Sequence, residues 1–321
     1  MILKKTIKNI IKYNKIKIKF LLLNIILLFY LFIFKIKKKL KIALCTMCKN
    51  EKLYIKEFID YYKQLGIDNI FIYDDNKIKS EKFSNDINIL KEKNVKIYDT
   101  QKMNVNNQKD AFTLYYNTFF KKFDWILMVD MDEFLVIVQD TLKNYLRKPI
   151  FNKCYFIKIN WVIATDNNLL HYENKSLFER FKGPYLKSPF IKTIVRGNIN
   201  NLEYWVHSPF ISPIRNITCN SIGEKIYYKK LNFETIIPIN IKNAYIIHFK
   251  YKSTEEYINK YKRGYSNWFK NKTKQILDNK IDEYLRDNEI TKEKIEIIEK
   301  ELKINLKKYK NKINISIQKN N

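Results

Sequence analysis

The sequence predicts an α/β domain with a parallel sheet, and two kinds of segment indicate it. Short apolar runs of strand length recur in the first half of the chain, and segments with apolar residues at helical spacing lie between them. The stretch 41–73 reads strand, helix, strand, a βαβ unit that joins parallel strands. With 321 residues, of which 46% are hydrophobic, the chain is long enough to bury a sizeable core.

The first unit runs from Lys41–Met47, a strand, into a helix. We expect Asn50 to cap that helix, which starts at Glu51, and Gly66 to end it in the left-handed conformation. Ile70–Tyr73 is the second strand.

The alternation of strands and helices then repeats. Val95–Tyr98 is the third strand, Gln108–Phe120 a helix, and Trp125–Val129 a continuous apolar run typical of a central strand buried on both faces. The character changes after about Arg147. Short strand-like pieces follow (Cys154–Trp161, Phe190–Val195, Ala244–Phe249), and the chain turns helical again from Thr254.

The formal net charge of +28 does not predict a nucleic-acid partner. Only six of the 61 basic residues are Arg, the side chain that reads bases through bidentate contacts, and they do not cluster. Abundant Lys, Asn, Ile, Tyr and Phe reflect a bias towards A/T-rich codons. A Lys-rich surface does attract anionic lipid headgroups.

An apolar run near the N-terminus predicts a membrane anchor. Phe20–Phe34 contains one strongly polar residue, Asn24, and lysines on both flanks extend the usable span to residues 16–36, after a basic tail of residues 1–15. A cleaved signal peptide is the main alternative, but the first alanine is Ala43, too late for a cleavage site. We expect an uncleaved single-pass anchor whose orientation and compartment stay open, since both flanks are basic.

Two acidic motifs follow predicted strands. Asp130 and Asp132 follow the buried run, and as residues i and i+2 of a strand they would project to the same side. Close carboxylates repel unless a cation joins them, and a hard divalent ion that leaves positions for phosphate oxygens fits. Solvated acids in a strand-end turn are the alternative. Asp74 and Asp75 follow the second strand and either hold a nucleoside or form a turn.

Histidine and cysteine are scarce. His248 ends an apolar run, where imidazole is either a ligand for an Mn²⁺-like ion or a buried core group. Cys45 and Cys48 have CxxC spacing, which we interpret as two small buried residues at a strand end. The four cysteines do not define a disulfide framework.

Taken in order, the motifs resemble those of glycosyltransferase family 92 and related family 2-like transferases. The resemblance covers roughly residues 41–270, and it departs from the pattern at Gly197, where proline is expected. The motifs that carry it are Cys48-Lys49-Asn50-Glu51, Tyr61-Tyr62 and Leu65-Gly66 in the first helix, Ile72-Tyr73-Asp74-Asp75-Asn76, Gln108, Asp124-Trp125, Asp130-Met131-Asp132-Glu133-Phe134, Arg180-Phe181, Lys192-Thr193-Ile194-Val195-Arg196, Trp205-Val206-His207-Ser208-Pro209, His248-Phe249, Lys252-Ser253, Glu256 and Lys262-Arg263-Gly264.

The resemblance implies a GT-A fold with a mixed, mostly parallel sheet over residues 41–270, followed by a charged helical extension over 271–321. It implies a nucleoside-diphosphate sugar as the donor, with a UDP-sugar as the first candidate. It also implies a glycan or other hydroxyl acceptor, and bound Mn²⁺ or Mg²⁺. Asp132 would bind the metal, with His248 as a third ligand. Asp130 would contact the ribose or a metal-bound water, and Asp74 or Asp75 the nucleoside.

Further residues are candidates for catalysis or donor binding. Lys250, Lys262 or Arg263 would add positive charge beside the diphosphate. Glu133 would take the proton of the acceptor hydroxyl, unless it orients the acceptor or caps a helix. The alternative function is a non-catalytic, membrane-tethered module that binds anionic polymers or lipids through its lysines.

Overall fold

The computed structural model describes residues 15, 17–29, 39–210, 217–226, 236–263 and 273–310. The chain divides into two compact units, Met1–Leu40 and Lys41–Asn321. In the first unit, residues 17–29 are helical. Throughout the described ranges, no helix combines the length and the apolar character needed to cross a membrane, so the anchor expected over residues 16–36 gains no support. Residue 16 and residues 30–36 of that expected anchor lie outside the described residues.

The second unit is built on a mixed β-sheet. Its strands are β1 (Ile42–Cys48), β2 (Asn69–Asp74), β3 (Val95–Asp99), β4 (Trp125–Met128), β5 (Glu133–Ile137), β6 (Phe156–Ala164), β7 (Tyr185–Arg196), β8 (Thr218–Cys219), β9 (Lys225–Ile226) and β10 (Ala244–His248). They are ordered β3-β2-β1-β4-β7-β6-β10-β5, with β8 beside β6 and β9 beside β8.

Helices connect and cover these strands. They are α1 (Ile55–Leu65), α2 (Ile87–Leu90), α3 (Gln108–Phe119), α4 (Leu142–Arg147), α5 (Leu177–Arg180), α6 (Thr254–Arg263), α7 (Thr273–Asp287) and α8 (Lys292–Leu302). Short 3₁₀ turns lie at Lys79–Glu81, Phe83–Asn85 and Pro149–Phe151.

The first half of the sheet follows the βαβ prediction. β2 and β4 both pair with β1 in parallel, and β3 pairs with β2 in parallel. β4 is buried along its whole length, as its apolar run predicted. The second half is mixed, because β7 runs antiparallel to β4 and β6, whereas β10 is parallel to β6 and antiparallel to β5. The carboxyl ends of β2, β1 and β4 therefore meet at one edge.

The ends of α1 show one correct and one wrong prediction. Gly66 ends the helix with φ 103°, the left-handed conformation expected of a glycine after a helix. Asn50 does not cap its start, because the N-cap is Tyr54 and that residue makes no side-chain cap bond. Instead, the Asn50 N–H donates to the Asn76 side chain at 2.7 Å, which ties the β1–α1 loop to the loop after β2.

Gly197 follows β7 where the chain passes very close to the end of α3. A Cβ atom on this residue would lie 1.9 Å from the Phe123 carbonyl oxygen and 2.7 Å from that of Phe120. Its N–H donates to the Asp124 carbonyl at 2.9 Å. Proline, the residue expected here from the family pattern, lacks that N–H and carries a Cβ, so this backbone arrangement accepts glycine and excludes proline.

The C-terminal helices pack onto the sheet domain. Ile281 and Tyr284 of α7 and Ile295 of α8 join Ile163 of β6 and Tyr257 of α6 in one buried apolar cluster. The described part of the extension expected over residues 271–321 therefore belongs to the same packed body as the sheet.

The cysteines fall into two classes. Cys45 and Cys48 are free and buried in β1, which confirms the interpretation of their spacing as a strand-end pattern. Cys154 and Cys219 form a disulfide between the segment before β6 and the end of β8. The spacing of four cysteines alone gave no basis for that pairing.

Candidate active site

The acidic triplet lies in a turn between two strands. β4 ends at Met128 and β5 begins at Glu133, so Asp130 and Asp132 are not on a strand and do not share one face of it. The expectation that they occupy positions i and i+2 of a strand is wrong, because the chain has already left the sheet. The Glu133 N–H donates to the Asp130 carbonyl at 3.1 Å, and the Asp130 N–H donates to Glu133 Oε2 at 3.0 Å. These two bonds fix the turn.

Strand β10 brings His248 to this turn. β10 pairs antiparallel with β5, with His248 opposite Glu133, and the next residue, Phe249, donates its N–H to the Asp132 carbonyl at 2.8 Å. His248 Nε2 consequently lies 3.5 Å from Asp132 Oδ1, although 116 positions separate the two residues in the sequence. The two side chains are close enough to bind one ion together.

The His248 ring is also part of the core. It packs edge-on against Trp161, with ring centroids 4.6 Å apart, and the residue is buried. Burial lowers the pKa of its imidazole below the usual value, against the opposing effect of Asp132. A neutral imidazole is the form that ligates metals, so burial keeps this ring competent as a ligand.

Lys192 of β7 is a fully buried ammonium under the turn. Its Nζ lies 3.0 Å from Asp130 Oδ2, 3.5 Å from Glu133 Oε2 and 3.2 Å from the Val206 carbonyl oxygen. Burial opposes its charge, but Asp130 and Glu133 raise the pKa of Lys192 above its ordinary value. The ammonium therefore neutralises the side of the turn that faces the core. Asp130 also accepts a hydrogen bond from Gln108 at the start of α3.

Lys260 of α6 approaches Asp132 from the other side. Its Nζ lies 2.9 Å from Asp132 Oδ2, the oxygen that does not face His248. The Lys260 side chain is 27% exposed, whereas that of Asp132 is 8% exposed. Burial alone would raise the pKa of Asp132, but Lys260 and His248 hold it well below its usual range. Asp132 is therefore an ionised carboxylate with a separate partner on each oxygen.

Glu133 occupies the buried interior of the cluster. Its side chain has no exposed surface, and burial raises the pKa of its carboxyl well above the usual value. Among the described residues, Glu133 Oε1 and His248 Nδ1 have no hydrogen-bond partner, and they lie 4.0 Å apart. The Glu133 carboxyl faces Lys192 and His248, so an acceptor hydroxyl has no open path to it in this arrangement.

Asp74 and Asp75 lie at the same edge of the sheet, at the end of β2. The Asp74 carboxylate is buried and accepts three bonds, from the Asn76 N–H and side-chain amide at 3.0 and 2.9 Å and from the Phe83 N–H at 2.8 Å. Asp75 is half-buried and accepts from the Thr100 hydroxyl at 3.1 Å. Asp74 thus organises the loop, and Asp75 is the more accessible of the two carboxylates.

The basic residues predicted beside the diphosphate have different surroundings. Lys262 pairs with Glu301 at the surface. The Lys250 ammonium pairs with Glu283 of α7, and burial lowers its pKa. Arg263 is the last residue of α6, and its side chain lies outside the described part of the structure. The amine closest to the acidic turn from this region is instead that of Lys260.

The donor atoms at the turn fit a divalent cation that shares its coordination with a ligand. Asp132 Oδ1 and His248 Nε2 converge, whereas Asp130 is turned towards Lys192. Across the described ranges, no group of three or more His, Cys, Asp or Glu side chains is arranged to hold a metal by itself. Mg²⁺ and Mn²⁺ sites that act on phosphates commonly use one or two protein side chains, with water and phosphate oxygens as the other ligands.

Sequence reasoning missed the two cations of the site. Lys192 was noted only as part of a motif and Lys260 not at all, since one lysine among 61 basic residues carries no local signal. The available hint was the position of Lys192 inside the mostly apolar stretch Phe190–Val195, because lysine is rarely buried without a partner.

Comparison with known proteins yields one local sequence similarity. The chain is 28% identical over 126 residues to a glycosyltransferase family 92 protein of Oryza sativa subsp. japonica. The match covers 35% of this chain and 20% of the relative, so the chain spans only about a fifth of that protein's length. No family model matches the chain.

Solved structures overlap with the fold only loosely. S. aureus TarS superposes with a TM-score of 0.27 at 13% identity, covering 49% of this chain and 47% of that chain. HddC from Yersinia pseudotuberculosis gives a TM-score of 0.29 at 9% identity, covering 64% of this chain and 92% of that one. Superpositions this loose carry no argument about activity. The sequence similarity therefore supports a glycosyltransferase assignment, and it suggests family 92 without showing membership.

Proposed function

We propose that this protein is a metal-dependent glycosyltransferase that moves a sugar from a nucleoside-diphosphate sugar to an acceptor hydroxyl of a glycan or other molecule. A UDP-sugar is the first candidate for the donor. The observation that carries the proposal is the convergence of Asp132 and His248 beside Asp130 at the edge where the parallel strands end. In open α/β sheets ligands bind outside the carboxyl ends of the strands. The local similarity to a glycosyltransferase supports the same reading.

Asp132 and His248 are the residues proposed to hold Mn²⁺ or Mg²⁺. The oxygen and the nitrogen are 3.5 Å apart, and the ionised carboxylate supplies the charge that a hard cation requires. The bound ion would neutralise the charge that develops on the diphosphate leaving group. Asp130 contributes by its position: Lys192 and Gln108 hold its carboxylate at the rim, 30% exposed, where a ribose hydroxyl or a metal-bound water is within reach.

The end of β2 is proposed to receive the nucleoside. Asp74 is buried and accepts three bonds from Asn76 and Phe83, so it shapes the loop. Asp75 has the free acceptor capacity to bond a ribose hydroxyl or a base N–H. The sequence left the choice between these neighbours open, and their surroundings favour Asp75.

Glu133 is proposed as a positioning residue. Its carboxyl is fully buried, accepts the Asp130 N–H at 3.0 Å and lies 3.5 Å from Lys192 Nζ, so it fixes the turn from below. The alternative role predicted from sequence, removal of the acceptor proton, needs direct contact with the acceptor. The buried side chain does not offer that contact in the described arrangement.

A thermal-shift screen of the full chain tests the proposed donor class. UDP-sugars, GDP-sugars and the free nucleotides are added with and without Mn²⁺, since a ligand that binds the native state raises the melting temperature. We expect one nucleotide to stabilise the protein only when Mn²⁺ is present. If nucleotides have no effect while polyanions stabilise the protein in a salt-sensitive way, the non-catalytic, polyanion-binding alternative replaces this proposal.

A further inference from the structure

Lys260 is placed to compete with a metal for Asp132. Its ammonium lies 2.9 Å from Asp132 Oδ2 and 3.4 Å from the Lys250 carbonyl oxygen. A divalent cation bound to Asp132 and His248 would lie close to this ammonium, and two neighbouring cations repel. One of them must therefore move when the other binds.

The pairing of charged groups points in the same direction. Among the described residues, Lys192 contacts the Asp130 carboxylate and the Glu133 carboxyl, and Lys260 contacts the Asp132 carboxylate. Because Lys192 is fully buried between two acidic side chains, its ammonium cannot reorient towards a ligand. Lys260 is the partly exposed member, with 27% of its side chain accessible and a long flexible stem that can reorient without the helix moving.

The helix that carries Lys260 is itself held in place. Glu256, one turn earlier on α6, accepts from the Ser253 hydroxyl at 2.7 Å and pairs with buried Arg180 of α5 at 2.7 Å. Arg180 also donates to the Tyr54 hydroxyl at 3.0 Å, which anchors the network at the start of α1. The helix is thus a fixed base from which only the lysine side chain needs to swing.

We propose that Lys260 is an exchanging counter-ion. It neutralises Asp132 while no metal is bound. Once a divalent cation binds Asp132, the Lys260 side chain reorients and its ammonium contacts the donor diphosphate. This inference rests on the proposed function and assigns Lys260 as the donor-binding cation of that site. Negative charge on the diphosphate compensates for the lost carboxylate contact, so the exchange preserves one cation beside each anion.

The exchange predicts opposite effects on two affinities. In Lys260→Met, which keeps the stem and removes the charge, Mn²⁺ alone should bind metal-free protein about tenfold more tightly, because a competitor is gone. UDP should bind the Mn²⁺-saturated variant about tenfold more weakly, because an ammonium is missing from the diphosphate site. Isothermal titration calorimetry with MnCl₂, and then with UDP, measures both.

Two variants make the comparison specific. Lys308→Met also removes one lysine charge, but the Lys308 side chain is 60% exposed and pairs with Asp282, so this variant should change neither affinity. Lys260→Arg keeps the charge and should retain the weaker Mn²⁺ binding of the natural protein. Melting temperatures of all variants identify any loss of folded protein.

The outcomes separate this inference from the proposed function. If Lys260→Met leaves both affinities unchanged, Lys260 takes no part, and if it weakens both, its role is structural; either result overturns the exchange while the transferase proposal stands. If the natural protein binds neither Mn²⁺ nor UDP, both proposals fall. Tighter Mn²⁺ binding together with weaker UDP binding supports the exchange.

Discussion

At His248 the observed packing role and the proposed metal-binding role fall on one side chain. The ring packs against Trp161 and is buried, while its Nε2 faces Asp132 at 3.5 Å. His248→Ala should therefore do two things: lower the free energy of unfolding by about 1–3 kcal/mol through lost packing, and weaken Mn²⁺ binding in the protein that remains folded. Urea unfolding and an Mn²⁺ titration of the same preparation measure the two effects.

A matched variant distinguishes the two roles of His248. Phe249 is the next residue, packs against Phe134 and Phe178, and directs its side chain to the core. Phe249→Leu should reduce stability to a similar degree and leave Mn²⁺ affinity unchanged. If His248→Ala also keeps full Mn²⁺ affinity, His248 is a core residue and the proposed metal site loses one of its two ligands.

His207 makes the stability of the protein depend on pH. Burial, together with the nearby Lys192 ammonium, lowers the pKa of His207 to about 3, whereas in the unfolded chain it titrates near ~6.5. Below pH ~6.5 the unfolded chain takes up the proton first, so stability present above that pH is lost as pH falls towards 3. One such histidine contributes a slope of up to about 1.4 kcal/mol per pH unit.

Denaturant unfolding at pH 7, 6 and 5 measures that slope. His207→Gln should reduce the slope of unfolding free energy against pH by the contribution of about one titrating proton. His171→Gln is the control, because the His171 side chain is 73% exposed and pairs only at the surface with Glu255. Equal slopes in the natural protein and His207→Gln would contradict this prediction, because they would show that the His207 ring binds protons equally in the folded and unfolded states.

On the scale of elements, the passage from β7 back to the end of α3 depends on Gly197. A Cβ here would lie 1.9 Å from a backbone oxygen, and backbone cannot move aside as a flexible side chain can. Gly197→Ala should cost about 3 kcal/mol or more of folding free energy. At Gly66 the nearest atom to an added Cβ is 4.0 Å away, so Gly66→Ala should cost only the strain of its left-handed backbone, about 1–2 kcal/mol.

Thermal or denaturant unfolding of the two alanine variants compares these costs. If Gly197→Ala is no more destabilising than Gly66→Ala, the close approach of β7 to the α3 end is not present as described. The comparison matters for the site, because β7 also carries Lys192 to its place beneath Asp130.

Local pattern predicted the elements whose neighbours in sequence are also neighbours in space. β1, α1 and β2 form one consecutive unit, and Gly66 marked the helix end correctly. Strand β5 is not predicted from the sequence, because Glu133–Ile137 follows the acidic turn directly and is too short to show a clear period of its own. The antiparallel insertion of β7 beside β4 depends on pairing between residues such as Trp125 and Arg196, which are far apart in the sequence, and no local periodicity encodes it.

Over the whole molecule, the sequence identified the anionic and imidazole members of the candidate site but not its cations. Asp130, Asp132 and His248 stand out because acids and histidines at strand ends are few. Lys192 and Lys260 are hidden in a chain of net charge +28, and only the folded arrangement shows which two ammonium groups face the acids. The same excess of lysine gives no reason to prefer polyanion binding once specific partners are seen.

The most direct test of the account is metal-dependent release of UDP from a UDP-sugar by the full chain, compared with Asp132→Asn. Asparagine keeps the size of the side chain but removes the charge that Lys260, His248 and a divalent cation would share. We predict turnover that requires Mn²⁺ or Mg²⁺, stops with EDTA and falls by about 10²–10³-fold in Asp132→Asn, measured at a temperature where the variant is still folded. Full activity in Asp132→Asn, or turnover indifferent to EDTA, would contradict the metal site proposed at this turn.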